Sequence, residues 1–68
     1  MYYIRQIRNR FDRQEVIFLA KGAPIARDRK WVNTPIAAES YKTADAAKLA
    51  AYDILVEGRH RTEVVFMK

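Results

Sequence analysis

A single long helix, predicted over residues 43–56, constrains this chain most because it is apolar on two sides. Thr43 is suited to cap the first turn, Asp45 favours the positive end of the helix dipole, and Gly58 follows where a left-handed residue ends a helix. At about 100° per residue, one side is lined by mostly small side chains. These are Ala44, Ala47, Ala50, Ala51, Ile54 and Leu55. We expect this side to pack closely on a sheet.

The opposite side of the predicted helix carries Leu49, Tyr52 and Val56, with Asp45 one turn earlier in the same row. One helix on one sheet layer buries a single side of the helix, so the second apolar row needs another explanation. Either it docks on another protein or on a second copy of the chain, or the loop of residues 22–30 covers it, or its members are simply exposed. The first explanation makes these four residues the predicted partner-binding site.

The rest of the chain predicts strands. Residues 2–8 and 15–21 are rich in β-branched and aromatic side chains and are separated by polar residues 9–14, which indicates a hairpin. A short third strand is predicted at residues 30–33, a single helical turn at 35–39, and a final strand at 62–67. Ile4 and Ile7 have opposite strand parity, so either a bulge lies between them or one faces outward.

The predicted fold is a single α+β domain over residues 1–68, an antiparallel sheet of three to four strands packed on one α-helix in the order ββ(β)αβ. Trp31, Phe18 and Phe66 are expected to fill the space between the sheet and the alanine side of the helix. A chain of 68 residues is near the lower limit for a domain stabilised by packing alone.

Composition argues against catalysis and against a metal or other cofactor. The chain has no Cys and a single His, His60, so neither a thiolate site nor a zinc site can be built from it. Ser40 is the only serine, the acids are dispersed, and the two glycines stand apart, which leaves no triad, no Ca²⁺ loop and no phosphate loop. No apolar run is long enough for a membrane span, so a cytosolic protein is expected.

Positive charge is concentrated in the first part of the chain. Residues 1–31 contain eight Lys or Arg against three acids, which gives +5, whereas residues 32–68 contain five of each. The candidate contacts for nucleic acid or an acidic protein surface are Arg5, Arg8, Arg10, Arg13, Arg27, Arg29 and Lys30. A solvated charged face explains them equally well. Arg5 has the opposite parity to Arg8 and Arg10, so an unbulged strand would not place all three in one row.

One sequence pattern resembles short phage and prophage proteins, in which a Trp-Val pair precedes a helix that begins aromatic-x-Thr. It is carried by Phe18-Leu19-Ala20-Lys21, Trp31-Val32-Asn33, Ala38-Glu39-Ser40-Tyr41-Lys42-Thr43 and Ala46-Ala47. Small α+β proteins of this kind include anti-CRISPR inhibitors. The resemblance implies a non-catalytic protein that docks on a CRISPR effector or masks its nucleic-acid surface.

A second pattern is similar to DNA-binding domains of the AP2 and integrase-arm type, in which a three-stranded sheet reads the major groove. Tyr3-Ile4-Arg5-Gln6-Ile7-Arg8 is similar to the first reading strand, and Tyr41-Lys42-Thr43-Ala44-Asp45 with Ala47 is similar to the helix entry. This resemblance implies a DNA-reading role for Arg5, Arg8 and Trp31. The displaced Tyr52-Asp53 pair and the added final strand depart from that pattern.

Together these features predict a small non-enzymatic phage or mobile-element protein that docks on and inhibits a host protein or nucleoprotein complex in the host cytosol, as an anti-CRISPR does. The alternatives are a sheet-based DNA-binding protein and a homodimeric accessory protein without a nucleic-acid role.

Overall fold

A computed structural model describes residues 1–22 and 30–68 and has the predicted α+β class. The strands are β1 (Tyr2–Arg10), β2 (Arg13–Leu19), β3 (Trp31–Val32) and β4 (Arg61–Phe66). A 3₁₀ turn at Pro35–Ala37 follows β3, and the helices α1 (Ala44–Ala50) and α2 (Tyr52–Glu57) precede β4. The four strands form one antiparallel sheet in the order β3-β2-β1-β4. Neither helix is long and apolar enough to cross a membrane, and no other candidate span occurs in the described residues.

The first hairpin is tighter than predicted. Polar residues 9–14 were expected to separate the strands, but β1 continues to Arg10 and β2 begins at Arg13, so only Phe11 and Asp12 form the turn. The pairing runs without a bulge from Arg5 opposite Phe18 to Arg10 opposite Arg13. Side chains therefore alternate strictly along β1, and Ile7 lies on the face opposite Ile4.

The core lies between the sheet and the helices. Ile4 of β1, Leu19 of β2, Ala47 of α1 and Ala51 are its buried members. The alanines let the helices approach the sheet closely, so Trp31, Leu55 and Val64 pack around the four at its margin. The predicted alanine side is thus the core side for most of its residues. Ala50 is the exception and is exposed.

Two aromatic residues predicted for the core lie elsewhere. Phe18 is buried, but Leu19 beside it faces the helices, so alternation turns Phe18 to the other face, where Arg5 lies opposite it on β1. Phe66 is exposed and makes an edge-to-face contact with Tyr2, at 5.1 Å between ring centroids. The prediction that both fill the space beneath the helix is wrong, because strand alternation turns Phe18 to the other face and Phe66, the last residue of β4, is exposed beside Tyr2.

The predicted single helix is interrupted. Thr43 caps α1 as expected, its Oγ1 accepting a hydrogen bond from the backbone N–H of Ala46 at 3.1 Å. At Ala51 the backbone leaves helical geometry with φ −106° and ψ 11°, and α2 then begins at Tyr52. Gly58 ends α2 in the left-handed conformation predicted for it, with φ 65°. The break places two short helices where the periodicity indicated one.

Candidate interaction surfaces

The outer side of the helices is the largest apolar surface predicted from the sequence that remains accessible. Leu49, Tyr52 and Val56 are exposed by 80%, 65% and 67%, and Asp45 is exposed with them. They continue in one row across the break at Ala51, since Leu49 lies in the last turn of α1 while Tyr52 and Val56 lie on α2. We call these four residues the helix outer face. No described part of the chain covers it. The loop of residues 22–30 is one of the three explanations that the sequence leaves open for this row, and its residues 23–29 lie outside the described residues.

Acidic residues predominate around this face. The two helices contain Asp45, Asp53 and Glu57 against Lys48, a net charge of −2 within a chain of net charge +5. Glu57 forms an ion pair with Arg59 at 3.2 Å, just beyond the end of α2. Asp53 and Glu57 lie on the flank of α2 that leads to the cleft beneath it, and Arg59 offsets the charge of Glu57. The helix outer face is therefore an apolar row with Asp45 at one end, on a helical segment of net negative charge that would complement a basic surface.

The predicted arginine set does not form one surface. Arg5 lies on the sheet face away from the helices, where its Nη2 donates to Glu63 Oε1 at 2.7 Å and its Nε donates to the same oxygen at 3.2 Å. Arg8 lies on the helix side, with its guanidinium 5.7 Å from the centre of the Trp31 ring. Both guanidiniums are engaged within the protein, and they point to opposite sides of the sheet.

The Arg5 contact changes the acidity of its partner. The hydrogen bond from Arg5 and the positive charge of that guanidinium hold the pKa of Glu63 below its ordinary value of 4.5, outweighing the partial burial that would raise it. Arg61 lies 4.0 Å from the other carboxylate oxygen of Glu63 and adds to the same effect. The Arg5–Glu63 pair thus stabilises the join between β1 and β4.

A hydrogen-bonded chain crosses the sheet beside Arg8. Arg8 Nε donates to Gln6 Oε1 at 2.7 Å, Gln6 Nε2 donates to Thr62 Oγ1 at 3.1 Å, and the Thr62 hydroxyl donates to the His60 carbonyl at 3.2 Å. Gln6 is 3% exposed, so these bonds satisfy an amide that would otherwise be costly to bury. The strand pattern did not predict that Gln6, a polar residue, would be buried.

A polar cleft of about 280 Å³ opens between the sheet and the end of α2. Its walls include Arg8, Trp31, Asp53, Glu57 and His60. It brings opposite charges together, and none of the described residues that line it has a hydroxyl or thiol side chain. Within residues 1–22 and 30–68, no group of three His, Asp or Glu side chains is placed to hold a metal ion.

The remaining predicted contacts are in the first hairpin and the following loop. Arg10 forms an ion pair with Glu15 at 3.5 Å, and Arg13 lies directly opposite Arg10. Lys30 is exposed, and its carbonyl accepts a hydrogen bond from the N–H of Ala20 at 2.9 Å. Arg27 and Arg29 lie outside the described residues.

Between Arg10 and Arg13, Phe11 has a conformation that the sequence did not indicate. Its φ is 45°, the left-handed region, and its side chain is 113% exposed. A side chain other than Gly, Asn or Asp in that region costs about 1–2 kcal/mol. The usual signals of a two-residue hairpin loop, Asn-Gly or Asp-Gly, are absent here, which is why the tight turn and its exposed ring were missed.

Comparison of the chain with protein-family models, with curated proteins and with solved structures found no match in any of the three.

Proposed function

We propose that this protein is a non-enzymatic binding protein whose helix outer face docks on a host protein or nucleoprotein complex. The observation that carries the proposal is the accessible row of Leu49, Tyr52 and Val56. A domain of this size has little apolar surface to spare, and contiguous exposed apolar side chains are typical of interfaces. Tyr52 is suited to such a contact because it combines a large apolar body with a polar tip.

The charge around the helix outer face favours one kind of partner. A two-fold pairing of two copies through this face would place two helical segments of net charge −2 side by side, which like-charge repulsion disfavours. A basic surface with an apolar floor, such as a nucleic-acid-binding groove, would instead attract the acids and accept the apolar row. We therefore favour a basic partner surface over a homodimer formed through the helices.

Occupying such a groove would exclude its nucleic acid, so binding alone would inhibit the partner. The resemblance to short phage-encoded inhibitors supports this form of the proposal, an anti-CRISPR-type role in the host cytosol. The other candidate, a sheet that reads duplex DNA, needs Arg5 and Arg8 on one face. Alternation along β1 separates them.

The test compares three proteins in pull-downs from nuclease-treated host lysate: the natural chain, the double variant Leu49→Ala with Tyr52→Ala, and Ile36→Ala. Ile36 is a matched control because it is 86% exposed and lies in the 3₁₀ turn, away from the helices. We expect the double variant to lose a partner that Ile36→Ala retains, with unchanged melting temperatures. Retention of that partner by the folded double variant would contradict the proposal.

Sedimentation at two concentrations separates the homodimer alternative. A monomer at both concentrations is expected. A dimer that the double variant abolishes would assign the helix outer face to self-association instead.

A further inference from the structure

The first hairpin extends beyond the rest of the sheet. β4 pairs with β1 only as far as Ile7, and β3 pairs with β2 only at Phe18 and Leu19. From Arg8 to Arg10, β1 is paired with β2 alone within the described part of the chain. Residues 8–15 therefore form a two-stranded ribbon that projects by roughly 10 Å. We call this segment the ribbon arm.

Two features at the apex of the ribbon arm are unfavourable for the protein alone. Phe11 has a left-handed backbone, which Gly or Asn would adopt more easily, and its ring is entirely in water. Arg10 and Arg13 are direct partners across the last rung, an arrangement in which like charges repel. Arg10 has Glu15 beside it, whereas no ion pair in residues 1–22 and 30–68 involves Arg13. Within the described part of the chain, the Phe11 ring makes no contact that would offset the cost of its backbone conformation.

Single-stranded nucleic acid would offset both the exposure of the Phe11 ring and the repulsion between Arg10 and Arg13. An unstacked nucleobase offers the Phe11 ring a flat aromatic face, and the phosphates beside it lie between the two guanidiniums. Asn9 and Gln14 are partners on the next rung, so their side chains project from the opposite face of the ribbon and take no part in this site. We propose that the apex of the ribbon arm binds single-stranded nucleic acid by stacking Phe11 on a base, with Arg10 and Arg13 on the adjacent phosphates.

The composition of the apex favours this ligand over a protein pocket. Phe11 is the only apolar side chain in residues 9–14, and Asp12 is the only acid there against two arginines. A protein pocket deep enough to hold the ring would also desolvate these polar neighbours. A nucleic-acid strand leaves them hydrated or paired with phosphate. This proposal is independent of the helix outer face.

The experiment measures fluorescence anisotropy of a labelled single strand of about 15 nucleotides at about 50 mM salt, where phosphate contacts contribute strongly. We expect Phe11→Gly to weaken binding by roughly ten- to a hundred-fold, the range found when one stacked base is lost, while Phe11→Trp retains it. Phe11→Leu keeps apolar volume without a ring and should weaken binding as Phe11→Gly does. Tyr52→Ala should bind as the natural chain does.

Further measurements test the strand type and the role of the Phe11 backbone. DNA and RNA strands of one sequence show whether the sugar matters, and the matching duplex should bind no better than Phe11→Gly binds the single strand. The melting temperature of Phe11→Gly should equal or exceed that of the natural chain, because glycine relieves the backbone conformation. Equal affinity of the natural chain and Phe11→Gly, full binding by Phe11→Leu, or a lower melting temperature of Phe11→Gly would each overturn the proposal.

Discussion

At the scale of single residues, the contacts of polar and charged side chains depend more on the partners that the fold brings to them than on strand parity. Arg5 is held by Glu63 of β4, and the Arg8 guanidinium lies over the Trp31 ring of β3, so both contacts join residues that are far apart in the sequence. Arg8 also donates to Gln6, two residues away on the same strand. The alternation along β1 correctly separated Arg5 from Arg8. It could not show which acid would meet Arg5, since that depends on the register with β4.

The Arg5–Glu63 pair predicts a specific dependence of stability on pH. Because the pKa of Glu63 is lowered in the folded protein, the pair contributes stability above pH 4.5, and that contribution is lost as the pH falls through the lower folded value. Glu63→Gln should therefore lower stability at pH 7, by up to about 1 kcal/mol for a pair whose side chains are 33% and 28% exposed and partly screened by solvent. Near pH 2 its melting temperature should approach that of the natural chain.

Glu57→Gln is the control for this prediction. Its ion pair with Arg59 is exposed at the end of α2, where removing an acid also suits the helix dipole, so stability at pH 7 should be unchanged or slightly higher. Thermal unfolding at pH 7 and near pH 2 measures the stability of the natural chain, Glu63→Gln and Glu57→Gln. A Glu63→Gln deficit of equal size at pH 7 and pH 2 would contradict the assignment.

At the scale of elements, the helical segment depends on its first cap. α1 has only seven residues and α2 has six, so neither is stable through its own length. Thr43→Ala removes the side-chain acceptor for the Ala46 N–H and should destabilise the protein by about 1 kcal/mol. Thr43→Ser keeps the acceptor and should restore most of that stability. Urea unfolding of both variants tests this, and an unaffected Thr43→Ala would show that packing alone sets the helix start.

The boundaries of the helical segment show which of its features could be predicted from local signals in the sequence. The caps at Thr43 and Gly58 and the alanine row predicted where the helical segment begins, ends and packs, because these are local effects. The break at Ala51 carries no local signal, since alanine is the best helix former. Ala51 is fully buried against the sheet, so we attribute the break to the packing of α1 and α2 on a twisted surface.

The ribbon arm was missed for a related reason. Its residues 9–14 are polar and lack the usual turn pair, which is typical of a loop. Pairing with β2 in fixed register turns them into strand and leaves Phe11 and Asp12 as the turn. The helix outer face could be predicted because amphipathic periodicity is preserved across Ala51. The partner of that face remains a prediction.

At the scale of the whole molecule, the core is small enough for one side chain to matter. Ile4 is fully buried and joins residues from β2, β4 and both helical segments. Ile4→Ala should cost about 2–5 kcal/mol, a large part of the stability of a domain this small. We expect it to lower the melting temperature strongly or abolish cooperative unfolding.

Ile7→Ala gives the matched comparison, since Ile7 is on the same strand but on the opposite, half-buried face. Ile7→Ala should therefore lose clearly less stability than Ile4→Ala. Thermal unfolding followed by circular dichroism measures both variants. Equal losses would show that the face away from the helices contributes as much to stability as the core beneath them.

The strand order β3-β2-β1-β4 also has a consequence for how fast the chain folds. β1 pairs with β2 across a two-residue turn, which is a local contact. The other edge of β1 pairs with β4, whose Glu63 lies 58 positions from Arg5 in the sequence. Closing that long loop loses chain entropy before its contacts form, so it is expected to limit the folding rate. Until β4 arrives, the central strand exposes an unpaired edge next to Tyr3 and Ile4. Association of partly folded chains would begin at that edge.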